Sequence, residues 1–298
     1  MTSTLVRRHR PHPSSSHSAD PGIRTRDWTE IQERMLVPLY EAVYERLDVG
    51  AGTRLLGLGC GSGLALLMAA ARGAAVCGTD TDPDRLDLAR ERLTAAGGAR
   101  GEDTPPARLG LGAPDSAWVR EAAEAAADAR ATAGFTVVTA FEPLPALGAA
   151  PGAAMDAAVS ALTAATALTE RGGAVVLAGW GPPERCATSA VLRVGARLAD
   201  PMCAPARWRP CGRDDLERLA ERAGLRPDGS GRVACPFGYA DLDSAVRGLL
   251  STGLFDAAER ATDPTQVAKE VAEALHPHQR ADGTVWMPNV FRYLIARV

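Results

Sequence analysis

Apolar residues along this chain follow two rhythms. Continuous aliphatic runs at Leu55–Leu58, Ala74–Thr79, Phe135–Phe141 and Ala174–Trp180 read as strands buried on both faces, the pattern of a parallel sheet. Between them, apolar residues recur at helical spacing. One such stretch is Leu64–Ala71. A second carries Leu86, Leu88, Ala89 and Leu93 and starts at Thr81-Asp82-Pro83. A third is the Ala-rich Asp115–Arg130, and a fourth runs from Ala153 to Thr169, stopped by Arg171-Gly172-Gly173. Thr94–Pro106 reads as loop and Ala107–Gly112 as a weak third strand. Ahead of the first strand, Ile31, Met35, Leu36, Leu39, Tyr40, Val43, Tyr44 and Leu47 keep helical spacing interrupted by Pro38, which predicts two short helices. Strand and helix in alternation predict an α/β fold with a doubly wound, mostly parallel sheet.

The C-terminal half is less regular. Helices are expected over Cys186–Leu198 and Arg213–Ala223, with Pro201–Pro210 irregular between them, and a sixth strand should end near Pro236-Phe237. Asp241–Leu275 reads as two or three amphipathic helices, and Thr284–Val298 as a last strand rich in β-formers. The last two strands are therefore separated by a helical insertion. Residues 1–26, rich in Ser, His, Pro and Arg, have little to bury and read as a disordered tail, which leaves 27–298 as one domain. Within it, 184–211 and 239–283 read as insertions able to cover a substrate.

Composition narrows the function classes. The 298 residues are 46% hydrophobic and 23% charged, enough for a large core. A net charge of −3 without a basic stripe argues against nucleic acid, and no apolar run approaches the roughly 20 residues of a membrane span. The basic start, Met1 to Arg8, has no apolar stretch behind it, so a secretory signal is not expected and the cytoplasm is the default location. The cysteines occur singly, without zinc or disulfide spacing, and His9, His12 and His17 read as part of a solvated tail; no metal is expected.

The chemistry concentrates in Leu55-Leu56-Gly57-Leu58-Gly59-Cys60-Gly61-Ser62-Gly63. Glycines at the end of a buried strand let the backbone turn tightly and approach a ligand, and the following helix presents free N–H groups and a positive dipole end, so an anionic group is the natural guest. The dinucleotide pattern G-x-G-x-x-G fails in both frames, because Ser62 or Leu64 stands at the third glycine; this argues against a nicotinamide oxidoreductase. The spacing is G-x-G-x-G. With a second strand ending in Asp80, about 20 residues on, the stretch resembles the class I S-adenosylmethionine (SAM) dependent methyltransferases.

That resemblance implies a Rossmann-like seven-stranded sheet of order 3-2-1-4-5-7-6 with the seventh strand antiparallel. It implies SAM as cofactor, held by Gly57, Leu58, Gly59, Cys60, Gly61 and Leu64, with Asp80 and Thr81 at the ribose, Gly112 and Ala113 beside the adenine, and Phe141 facing the cofactor. Gly57 and Ala113 stand where the family commonly carries acids, and Asp115 is an alternative partner for the adenine. Trp28 and Tyr40 read as core, with cofactor contact as the alternative. The implied activity is methyl transfer to O, N or C of a small molecule, such as a specialised metabolite, with the helical insertion as lid. Glu142, directly after the fourth strand, is one candidate for acting on the acceptor, and His276 and His278 are the competing bases. The alternative function keeps the fold without methyl transfer, as a non-methylating cyclase or an interaction partner.

Overall fold

The computed structural model describes residues 21–97, 107–112, 119–121, 134–141, 151–202 and 212–298. Ala113, Asp115, Glu142, most of the Ala-rich stretch and the expected tail up to Asp20 lie outside the described residues. In chain order the strands are β1 Arg54–Leu58, β2 Ala75–Asp80, β3 Arg108–Leu111, β4 Phe135–Ala140, β5 Thr169–Trp180, β6 Arg226–Ala234, β7 Phe237–Tyr239, β8 Val285–Met287 and β9 Val290–Arg297. The helices are α1 Pro21–Asp27, α2 Val37–Arg46, α3 Leu64–Ala71, α4 Pro83–Gly97, α5 Pro151–Thr166, α6 Thr188–Ala199, α7 Asp215–Arg222, α8 Leu242–Leu250, α9 Asp256–Ala261 and α10 Pro264–Leu275.

A seven-stranded sheet runs in the order β3-β2-β1-β4-β5-β9-β6, with β9 antiparallel to both of its neighbours. This is the order that the resemblance to the class I methyltransferases implied. Leu55 and Leu56 of β1 are fully buried because adjacent residues of a strand face opposite sides and this sheet is covered on both. One core joins the sheet to α2, α3, α6 and α8 to α10; a second, on the other face, gathers Leu56, Val138, Val175 and Leu177 with residues of α5 and α7.

Several boundaries differ from expectation for local physical reasons. α4 runs on to Gly97, past the loop expected from Thr94. Arg171-Gly172-Gly173 does not stop a helix but lies inside β5, where Gly172 takes a left-handed φ of 79° beside a register shift against β4. Pro38 opens α2 instead of breaking a helix, and the chain before it winds through a π turn at Trp28–Gln32 and a 3-10 turn at Glu33–Leu36. The expected last strand divides at Pro288-Asn289, and its first part, β8, pairs with β7 in a separate two-stranded sheet. The insertion after β7 forms three helices whose Ala245, Leu249, Phe255, Val267, Val271 and Leu275 belong to the same core as the sheet. Its tie to the N-terminal segment is ionic as well, through Arg247 with Asp27 and Arg24 with Asp256.

Candidate functional site

β1 ends in a loop where Gly59, Gly61 and Gly63 all have positive φ, at 60°, 55° and 78°. Side chains with a Cβ adopt that conformation at a cost, so every second position of the loop needs glycine. The loop is pinned by Cys60 N–H donating to the Thr79 carbonyl and Gly63 N–H donating to the Cys60 carbonyl, both at 2.9 Å. α3 then lies low on the sheet, because Gly57 and Gly78 sit opposite each other in β1 and β2. A Cβ on Gly78 would stand 2.5 Å from Leu66 Cδ1 and 2.9 Å from Cys60 Sγ, and one on Gly57 would stand 3.0 Å from Leu66 Cδ2. An acid at position 57 therefore requires Leu66 to move.

The N-terminus of α3 holds an anion, but it is the chain's own. Glu33, only 2% exposed, accepts hydrogen bonds from Ser62 Oγ at 2.5 Å, from the Leu64 N–H at 3.3 Å and from Arg92 Nη1 at 2.7 Å. The expectation of an anionic ligand there is corrected: the dipole end is already occupied by a carboxylate from the 3-10 turn. Arg92 also donates to the Ser62 carbonyl at 2.8 Å, so one guanidinium ties α4, the loop and the N-terminal segment together.

Asp80 closes the other side of the loop. Its Oδ2 accepts from the Gly61 N–H at 2.8 Å and its Oδ1 from the Asp82 N–H at 2.9 Å. An ionised carboxylate offers about four lone-pair sites, so after these two bonds about two are left for donors such as the hydroxyls of a ribose. Asp82 in turn caps α4 by accepting from the N–H groups of Asp84 and Arg85 at 3.0 and 3.2 Å.

Beside the loop a cleft with about 350 Å³ of empty space is lined by Trp28, Glu33, Tyr40, Ala65, Leu66, Thr139 and Phe141 together with Gly57, Leu58, Gly59, Cys60 and Gly61. It lies at the carboxyl ends of β1 and β4, where the sheet reverses direction and ligands of such folds sit. Of the residues named from the sequence, the five loop positions and Phe141 line it. Leu64, Asp80, Thr81 and Gly112 do not: Asp80 is tied to the rim through Gly61, and Gly112 donates its N–H to the Asp80 carbonyl at 2.9 Å. Glu33, Ala65, Leu66 and Thr139 are additions, as is the cleft-facing role of Trp28 and Tyr40. Tyr40 packs against Phe141 at a tilt and Tyr44 edge-on, with ring centroids 4.8 and 5.9 Å apart, which fixes this wall of the cleft.

A second, partly open cavity also includes Trp28 in its lining and is walled by Trp180, Phe237 and Phe291, with Leu249, Thr252 and Leu254 supplied by the helical insertion. Neither histidine lines this cavity or the cleft. They occupy a 3-10 turn after α10, His276 exposed and His278 half-buried, where burial holds the His278 imidazole below its usual range. Among the described residues no group of three His, Cys, Asp or Glu side chains is placed to hold a metal, and no helix is long and apolar enough to cross a membrane.

No family model matches the chain. The methyltransferase GfsG of Streptomyces halstedii is 42% identical over 69 residues, a match that spans 23% of this chain and 23% of that protein. Among solved structures, the YcgJ protein of Bacillus subtilis superposes with a TM-score of 0.52 at 12% identity, covering 87% of this chain and 97% of that one. BH2331 of Bacillus halodurans, described as a candidate methyltransferase, superposes with a TM-score of 0.50 at 14% identity over the same shares, 87% and 97%. Likeness at such identities is likeness of fold. The chain has the Rossmann-like fold of the class I SAM-dependent methyltransferases.

Proposed function

We propose that this chain is a SAM-dependent methyltransferase acting on a small molecule. The observation that carries the reading is the loop itself: three left-handed glycines at the reversal point of the sheet, tied to an acidic residue at the end of β2 that keeps two lone pairs to spare. In this reading the backbone of Gly57 to Gly61 and the Phe141 wall hold the methionine portion, Asp80 with Thr81 takes the ribose, and Gly112 and Ala113 flank the adenine. Bound there, SAM would supply an electrophilic methyl group on a sulfonium, with a neutral thioether as the leaving group. The acceptor's proton then passes to water or to a base. Glu142 is our candidate for that base because Phe141, directly before it, lines the cleft; His276 and His278 remain the weaker candidates, being outside both cavities. A sulfonium is a good leaving group, so alignment of the two reactants supplies much of the acceleration.

Calorimetric titration with S-adenosylhomocysteine tests the reading. Asp80→Ala removes an acceptor of two hydroxyl hydrogen bonds and is expected to cost about 2–3 kcal/mol of affinity, roughly 30- to 150-fold. Unchanged affinity in a variant that still melts cooperatively, or preference for NADH over S-adenosylhomocysteine, overturns it. The second reading, a fold retained without methyl transfer, draws on the lack of any ionisable side chain among the residues lining the aromatic cavity. It predicts S-adenosylhomocysteine binding without release of label from methyl-labelled SAM to any acceptor the cavity holds.

A further inference from the structure

Every residue lining the aromatic cavity is uncharged: Trp28, Gln32, Leu36, Trp180, Thr188, Phe237, Leu249, Thr252, Leu254 and Phe291. Three of them carry a buried polar atom that makes no hydrogen bond, namely Trp28 Nε1, Trp180 Nε1 and the Thr188 hydroxyl. Buried polar groups are nearly always paired, and leaving one unpaired costs as much as a hydrogen bond to remove, so three along one cavity call for an explanation. Their isolation is enforced by the surroundings. Thr188 begins α6 and would ordinarily have its hydroxyl engaged at the helix end, but Asn289 Oδ1 reaches across from the β8–β9 turn and accepts the Thr188 N–H at 3.1 Å. Asn289 is itself locked by donating to the Met287 carbonyl at 3.2 Å. Trp180 is clamped by Phe291 and Phe237, ring centroids 4.6 and 6.0 Å away. Trp28 lies under the Arg85 guanidinium, 4.7 Å from its ring.

We propose that this cavity is the acceptor site, and that it takes an uncharged, flat, largely apolar molecule carrying at least two oxygen acceptors, whether carbonyl, lactone or hydroxyl, that receive the two indole N–H groups. The assignment of the cavity to the acceptor rests on the methyltransferase reading; the chemistry of its occupant does not. An indole nitrogen donates and never accepts, so the ligand must bring the lone pairs, while the Thr188 hydroxyl serves either sense. A carboxylate or ammonium would be buried with no opposite charge among the lining side chains, which is strongly unfavourable. The aromatic faces of Trp180, Phe237 and Phe291 favour a planar body. Trp28 lines both this cavity and the cleft beside the glycine loop, so an acceptor bound here reaches the cofactor along the Trp28 ring.

The test uses the full chain and three matched probes: coumarin, which is planar, neutral and bears two ring-associated oxygens; naphthalene, of similar shape with none; and coumarin-3-carboxylate, which adds a charge. Coumarin should quench tryptophan fluorescence saturably and bind at least tenfold more tightly than either of the others. Thr188→Val, which keeps shape and removes a polar atom, should weaken coumarin about fivefold, the worth of one hydrogen bond, and leave naphthalene unaffected; Trp180→Phe, which removes the N–H together with ring area, should weaken coumarin about fivefold more than it weakens naphthalene; neither should alter S-adenosylhomocysteine binding. If naphthalene or the carboxylate binds as well as coumarin, if coumarin does not bind, or if neither substitution alters its affinity, the proposal is overturned. Binding of coumarin in a protein that ignores S-adenosylhomocysteine would refute the methyltransferase reading and leave the ligand chemistry of the cavity standing.

Discussion

Replacing Glu33 by Gln probes the joint between the N-terminal segment and the loop. The carboxylate accepts from Ser62, Leu64 and Arg92 in a nearly dry environment. Breaking a buried ion pair by removing one partner costs about 3–5 kcal/mol. Two features reduce that figure here: the Arg92 side chain is 21% exposed, so water partly compensates it, and it keeps its bond to the Ser62 carbonyl. Gln also retains one oxygen for Ser62 or Arg92, though its amide group must then face the remaining donor. The net expectation is a loss of about 2–3 kcal/mol, which for a chain of this size lowers the melting temperature by about 3–5 °C. Calorimetric melting of Glu33→Gln, Arg92→Met and the double variant checks it, with an expected coupling of about 1–2 kcal/mol in the cycle. A melting temperature within 1 °C of the parent, or no coupling with Arg92, would refute the claim that this carboxylate holds the loop.

Gly78→Ala places a methyl 2.5 Å from Leu66 Cδ1, and overpacking of that kind should cost about 1–3 kcal/mol by urea titration, with part recovered by adding Leu66→Val. Lack of any loss would mean that α3 is free to lift off the sheet. The pH dependence of stability carries the mark of His278. Burial lowers its folded pKa from 6.5, so the unfolded chain binds the proton more readily and stability declines as pH falls below that value. Melting curves from pH 7.5 down to 5 should show a small loss that His278→Asn flattens; because the ring is only half-buried, a large effect would contradict the burial seen here.

The loop and its acid were legible because each is a local device. Alternating glycines need positive φ whatever surrounds them, and Asp80 follows its strand directly. Sheet order is not local; it came only from the family resemblance to which the loop had pointed. Glu33 was not legible: it sits among apolar residues at helical spacing and gains its role from distant partners, Ser62, Leu64 and Arg92, the last 59 positions further on. The aromatic cavity is less local still, since its walls come from the π turn, the ends of β5 and β9, β7 and the loop after α8. Leu64 was read as a cofactor contact because of its place in the sequence, yet at the start of α3 its backbone N–H faces Glu33 while Leu66, two positions on, is among the residues lining the cleft. The helices after β7 read as a separable cover from their amphipathic pattern, but that pattern does not tell whether the apolar face closes on a ligand or on the sheet; here it is continuous with the main core.

The placement of β9 has a consequence for how the protein comes into being. β9 is hydrogen-bonded to β5 on one side and β6 on the other, so β6 joins the sheet, and the outer edge of β5 is covered, only through a segment made after both. While the ribosome is producing residues 235–289, β5 presents an unpaired edge and β6 has no partner, an invitation to wrong pairing with other chains. Contacts spanning over 100 residues along the chain, such as Ala174 with Arg297, also slow the search for the native arrangement. Newly made chains should therefore lean on chaperones until Val290–Arg297 emerges, and a stop codon before Val290 should yield aggregates instead of a smaller folded protein.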